Sequence, residues 1–182
     1  MDPIFNLSNN ITFGTTSPSN GINNITFGTT SSAFDFKQNY INLTLKNLLG
    51  IEYVLYAKIQ NFHWNLTGAS FIGLHKLLDK HYKRLGKLID RIAEQIRKYG
   101  SASPGSLQEF LNLNNDVDGI VENVGFLIPE KSAISVLVGD HDKLIRSINE
   151  INTNPIDLAT QNLLGDILDF HMTSAWMLRS HL

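Results

Sequence analysis

The sequence predicts an all-α protein: a four-helix bundle with a short helical connector between helices two and three, preceded by a flexible arm. Three observations carry this. Apolar residues recur at three- and four-residue spacing through four long stretches, the period of one helix face. Clusters of Asn, Thr, Gly and Pro separate those stretches, as helix breakers do. No stretch shows the strict polar–apolar alternation of a half-buried strand.

The arm comes first. Residues 1–36 contain no Lys or Arg and are rich in Asn, Ser, Thr and Gly, with the octapeptide NNITFGTT at 9–16 and again at 23–30. Two copies are too few to build a repeat fold. The composition suits a disordered arm. Alternatively, each Ile-Thr-Phe segment docks, as a short strand or apolar plug, on the body or on a neighbouring subunit.

The body, residues 37–182, reads as one domain. From Phe36 onward, Ile41, Leu45, Leu48, Leu55, Ile59 and Phe62 form an apolar stripe interrupted by Glu52. Asn65, Thr67 and Gly68 end this helix. The second helix spans 71–99, with Phe71, Leu74, Leu78, His81, Leu85, Leu88, Ile92 and Ile96 on one face. Residues 106–128 form a connector with short helical pieces. A third helix begins near Pro129 and Glu130, where proline suits the first turn. Asn154 and Pro155 are expected to cap the fourth, with Leu163, Ile167, Phe170 and Met177 facing inward. Four such helices with one longer crossover make a bundle.

Composition removes several function classes. The net charge of −2 gives no general attraction to nucleic acid or anionic membrane. Without cysteine there is no disulfide, zinc–thiolate site, iron–sulfur cluster or thiol nucleophile. No apolar run approaches the ~18 residues that span a bilayer. The N-terminus has neither the basic and apolar regions of a secretory signal nor the arginines of a transit peptide, so the expected compartment is the cytoplasm.

The chemistry concentrates between His63 and Glu94. His75 and Asp79 are one helical turn apart and share a face, as do Asp90 and Glu94. Around the helix all four fall within roughly 100°. Along it, His75 and Asp90 are separated by about 22 Å, whereas metal–ligand bonds are about 2.0–2.2 Å. One straight helix cannot bring both pairs to one ion. Two copies crossing head-to-tail near residues 84–85 would, each His75/Asp79 end meeting the other's Asp90/Glu94 end. The interface is then isologous, with two equivalent sites. Gly86, near the crossing, allows close approach. His63 lies at similar height across the turn at Gly68. Two imidazoles with two or three carboxylates suit iron, manganese or zinc better than calcium.

Plainer readings stand beside this one. Asp79 could pair with Lys76 or Lys83, and Asp90 and Glu94 could form a solvated face near Arg91 and Arg97. His81 and His141 lie in apolar stripes as core or interface residues, while His171 and His181 read as helix-surface groups. Trp64 reads as packing or as a redox partner beside a metal.

The run HWNLTGASFIGLH, then LLDKHYKRLGKLIDRIAEQIRKYG, resembles the signature of the Dps family, the mini-ferritins or DNA-binding proteins from starved cells. The matching residues are His63, Trp64, Asn65, Gly68, Phe71, Leu74, His75, Asp79, Asp90, Ala93 and Glu94. DHDKLIR at 140–146 and TSAWMLRSHL at 173–182 extend the likeness, which covers about residues 37–182. The resemblance implies a ferritin-like bundle assembled as a dodecameric shell. It implies oxidation of Fe(II) by hydrogen peroxide or oxygen at a metal centre, which could be di-iron, with ferric product stored inside. His63, His75 and Asp79 would come from one subunit and Asp90 and Glu94 from its two-fold mate.

Two comparisons refine this. Larger ferritins hold iron inside one bundle through Glu-x-x-His motifs, and no histidine here has Glu three residues before it. Family members that bind DNA commonly use a cationic tail, but the first cation here is Lys37, so the arm supplies none of the charge that neutralises phosphates. The leading reading is therefore an iron-storing ferroxidase cage. The second is a nucleoid-compacting DNA-binding protein with secondary iron chemistry. For an iron pore, helix four offers Asp157, Asp166 and Asp169; Asp157 is favoured among them because it sits in the first turn after Pro155, and helix capping alone stands beside this with at least equal weight.

Overall fold

In the computed structural model the described residues are 30–117, 119–122 and 129–182. They form five helices: α1 (Thr30–Asn65), α2 (Phe71–Lys98), α3 (Leu107–Asp116), α4 (Glu130–Asn152) and α5 (Leu158–Arg179). No strand occurs among them. α1 packs mainly on α2, and α4 on α5; the two pairs close the bundle, and α3 lies against α1. The duplicated segments lie outside the described residues, apart from the last residue of the second copy, Thr30. α1 begins at Thr30, earlier than the stripe suggests. No glycine or proline lies between 30 and 49 to stop a helix extending backward.

The stripes meet as expected. Leu45, Leu48, Leu55 and Ile59 of α1, Leu74, Leu78, Leu85 and Ile92 of α2, Leu137 and Leu144 of α4, and Ile167 and Phe170 of α5 are all buried. Each contributes about 1.5–3 kcal/mol through burial. α3 approaches α1 closely at Gly50, where a Cβ would stand 2.7 Å from Leu113 Cβ and 2.9 Å from the Phe110 carbonyl. Ser106 and Glu109 start α3 with a reciprocal capping box.

Three expectations are corrected. Asp157, and not Asn154 or Pro155, caps α5: its carboxylate accepts from the amides of Ala159 and Thr160. Met177 faces outward and is 37% exposed, because it sits about 100° around the helix from fully buried Leu178. His171 is wholly buried, not at the surface.

His171 belongs to a polar chain through the core, to which each bundle helix gives one member: Glu52, His81, His141 and His171. His171 Nε2–H donates to Glu52 Oε1 at 2.8 Å. His141 Nδ1 and His171 Nδ1 share a hydrogen at 2.8 Å. His141 Nε2, His81 Nδ1 and Glu52 Oε2 find no partner. Beside this chain, buried Lys58 reaches Asp140 at 2.7 Å and ties α1 to α4. Burial pushes the Asp140 carboxyl up, and Lys58 opposes it.

The Asp157 cap gives a direct check. Asp157→Ala should lower stability by about 1 kcal/mol, whereas Asp157→Asn, which still caps, should change it by only a few tenths. Thermal unfolding of the two variants side by side distinguishes a capping carboxylate from one that contributes nothing to the fold.

Candidate metal centre

The turn joining α1 to α2 positions the two histidines. Gly68 has φ +153°, and a Cβ there would stand 2.1 Å from Glu130 Oε2. That oxygen accepts from the Ser70 amide at 3.1 Å, pinning the turn to the start of α4. With the turn held, the end of α1 and the start of α2 lie side by side. The rings of His63 and His75 stack with centroids 3.9 Å apart and planes inclined by 17°.

Their hydrogen bonds are reciprocal. His63 Nδ1 donates to the His75 carbonyl at 2.9 Å, and His75 Nδ1 donates to the His63 carbonyl at 2.8 Å. A carbonyl oxygen only accepts, so both Nδ1 atoms carry hydrogen. In the neutral rings each Nε2 is then a lone-pair donor. This is the usual state of a metal-ligating imidazole, whose second nitrogen is held by a backbone carbonyl or carboxylate.

Asp79, one turn along α2, accepts from Tyr82 Oη at 2.9 Å and from Lys83 Nζ at 2.8 Å. Lys83 first, then Tyr82, holds its carboxyl below the usual range. The pairing with Lys83 is one of the plain alternatives the spacing offered. Tyr82 also sets its ring edge-on to His63, 5.3 Å between centroids, and so joins Asp79 to the histidine pair. Tyr82 is not marked by the family motif, though its i,i+3 spacing from Asp79 was the available signal.

Asp90 and Glu94 are not brought to this cluster. Both are exposed on the distal part of α2. Their neighbouring arginines are engaged elsewhere: Arg91 with Asp166 at 2.8 Å, and Arg97 with the Ser101 carbonyl at 3.0 Å. Neither carboxylate has an intrachain hydrogen bond or ion pair among the described residues. No three His, Asp or Glu side chains among the described residues are disposed to hold a metal ion within one chain. The core chain of Glu52, His81, His141 and His171 is no such group either.

The other residues singled out in the sequence have the following surroundings. Trp64, next to His63, is 66% exposed within one chain. A Cβ at Gly86 would touch the Tyr56 ring at 3.4 Å, so the bare side of Gly86 faces α1 of the same chain. The three aspartates suggested for a pore all have partners. Asp166 holds Arg91, Asp169 holds Arg84 at 3.1 Å, and Asp157 caps α5 and accepts from Tyr99 Oη and Thr160 Oγ1. Burial pushes the Asp157 carboxyl up, but the hydrogen bonds from Thr160 and Ala159 outweigh it and hold the group below its ordinary value.

Known proteins share this sequence and architecture. The family model for the ferritin-like domain matches residues 43–182. A low temperature-induced protein of Nostoc sp. is 34% identical over 148 residues, which is 79% of this chain and 80% of that protein. A DNA protection during starvation protein of Helicobacter pylori is 28% identical over 141 residues, 76% of this chain and 95% of its own. The X-ray structure of Dps from Thermosynechococcus elongatus superposes with a TM-score of 0.74 at 21% identity, covering 82% of this chain and 94% of that one. With the bundle, the connector and the matched residues in agreement, this chain belongs to the Dps family of ferritin-like proteins.

Proposed function

We propose that the chain assembles into a hollow dodecamer that oxidises Fe(II) at sites shared across two-fold interfaces and stores the ferric product, with the cytoplasm as its compartment. The observation that carries this reading is the locked tautomer of His63 and His75. Two Nε2 lone pairs stand ready at one end of α2, and two unpaired carboxylates, Asp90 and Glu94, stand at the other. Half-sites of complementary chemistry on one helix are completed by an antiparallel mate. The mixed nitrogen and oxygen donors suit Fe(II) as substrate.

In this scheme His63, His75 and Asp79 of one subunit bind Fe(II) with Asp90 and Glu94 of its mate, as a di-iron centre. The carbonyl-held imidazoles fix ligand direction, and Tyr82 steadies Asp79. Lys83 gives up its ion pair with Asp79 when iron arrives; an exposed i,i+4 pair is worth only about 0.3–0.5 kcal/mol. Hydrogen peroxide takes one electron from each of two Fe(II) ions, its O–O bond breaks, and two protons complete two waters. Oxygen serves as a slower oxidant.

The test is an anaerobic Fe(II) titration of the assembled protein, followed by peroxide. The expected result is saturable Fe(II) binding that is lost in Asp90→Asn/Glu94→Gln, with rapid formation of ferric absorbance once peroxide is added. Light scattering that shows only a stable species of about 20 kDa, the mass of one chain, would remove the shared site altogether.

A further inference from the structure

A cleft of about 420 Å3 opens between the first half of α1 and the second half of α4, beneath Val117. Its floor is apolar, from Leu48, Ile51, Leu144 and Ile151, and its walls carry the uncharged hydroxyls of Thr44 and Ser147. One end is bridged by Asn154, whose amide donates to Tyr40 Oη at 3.2 Å. At the rim Lys143 and Glu150 cancel in charge. The size falls in the range, roughly 300–1,000 Å3, of built binding clefts. An uncharged, extended occupant with one or two large apolar side chains fits these walls.

We infer that the cleft is filled by the first NNITFGTT segment, residues 9–16, of the same chain. The segment has the required chemistry: Ile11 and Phe13 for the floor, Asn and Thr for the hydroxyl walls, and no charge. Chain length selects between the two copies. The middle of the cleft, near Leu48, lies 18 residues beyond Thr30 along α1, about 27 Å away. Thr26 stands four residues before Thr30 and reaches at most about 14 Å. Thr12 stands 18 residues before it and reaches up to about 60 Å. The first copy therefore returns to its own cleft, and the second copy is the spacer that turns the chain back. The order of the duplication thus has a consequence: the copies are alike in sequence but differ in reach.

The absence of cysteine makes the test clean, since any introduced pair is the sole source of disulfides. In the full-length assembled protein, Thr12→Cys/Ser147→Cys is oxidised under mild conditions and compared with Thr12→Cys/Asn149→Cys. Asn149 is exposed on α4, about 3 Å from Ser147 along the helix but about 160° around it, so a free arm reaches both equally while only Ser147 lines the cleft. A disulfide needs Cβ atoms about 3.5–4.5 Å apart. The expected result is an intrachain bond, with thiols lost and subunit mass unchanged on a non-reducing gel. It should form at least about ten times faster at Ser147 than at Asn149, as a raised effective concentration requires. Adding Phe13→Ser should bring the rate down to the Asn149 level, and Phe27→Ser should not. Thr26→Cys/Ser147→Cys should form no intrachain bond. Equal rates at Ser147 and Asn149 would overturn the docking. Cross-linked dimers in place of intrachain bonds would assign the cleft to a neighbouring subunit and overturn the same-chain assignment.

Discussion

Replacing His63 and His75 together with alanine should slow Fe(II) oxidation by more than about 100-fold, because even groups that merely orient metal ligands are worth roughly 10–100-fold. The apolar stripes are untouched, so light scattering and far-UV circular dichroism should still report an assembled helical protein. A rate near that of the parent would remove both histidines from the site. The decisive form of the experiment separates the two ends of α2. His75→Ala subunits and Glu94→Ala subunits are each inactive alone, since every shared site then lacks a ligand. In a mixed dimer one site loses both groups and the other keeps its full set. About half the normal sites per mixed dimer should therefore return. Verified mixed dimers with no recovered activity would rule out sharing, even if each single variant is dead. The antiparallel geometry makes this prediction quantitative: His75 and Asp90 are about 22 Å apart on one rigid helix, and no bending of that helix mimics complementation.

Much of this architecture is legible before any coordinates. The stripes of α1, α2 and α4 are regular, and Gly68 marks the turn that pairs His63 with His75. The half-site argument needs only helical rise and spacing. What spacing does not reveal is the reciprocal bonding of the histidines to each other's carbonyls, which depends on the depth to which the two helix ends overlap. The misreading of His171 has a different cause. Leu164, Ile167, Ser174, Ala175 and Leu178 surround it at three- and four-residue intervals and are all buried, so the position lies inside a wide apolar face. The signal was the companion anomaly, Glu52 in the α1 stripe. A carboxylate within an apolar stripe requires a partner when buried, and a histidine within another stripe is a suitable one. Taken together the four interruptions Glu52, His81, His141 and His171 explain one another; taken helix by helix they do not. The start of α5 was placed too early because Asn154 and Asp157 are both good cap residues; capping was the plainer of the two readings at Asp157, and only there do two helix amides converge on the side chain.

His81→Leu should make the iron-free protein more stable and flatten part of its loss of stability in acid. His81 is buried against the rings of His141 and Phe170, with centroids 6.2 and 6.0 Å away, and its Nδ1 has no partner. Burial first, and then the neighbouring Arg84 and His171, push its pKa down to about 4. His141 is pushed the same way, again mainly by burial. A histidine kept neutral in the folded chain but protonated in the unfolded one makes the unfolded state bind more protons. Stability therefore rises with pH across that window and falls as pH drops from about 6.5 toward 4. For His81 the full span corresponds to about 3 kcal/mol. Leucine carries no titrating group and leaves no unpaired nitrogen, so stability at pH 7.5 should rise by about 1–3 kcal/mol. The advantage over the parent should widen further at pH 5. His141 continues to titrate in the variant, so part of the acid limb remains. Urea unfolding of the parent and His81→Leu at both pH values measures this. The same difference between the two proteins at pH 7.5 and pH 5 would show that His81 keeps its ordinary proton affinity in the folded chain. A loss of stability at pH 7.5 would show that the ring's packing against His141 and Phe170 outweighs the cost of its unpaired nitrogen.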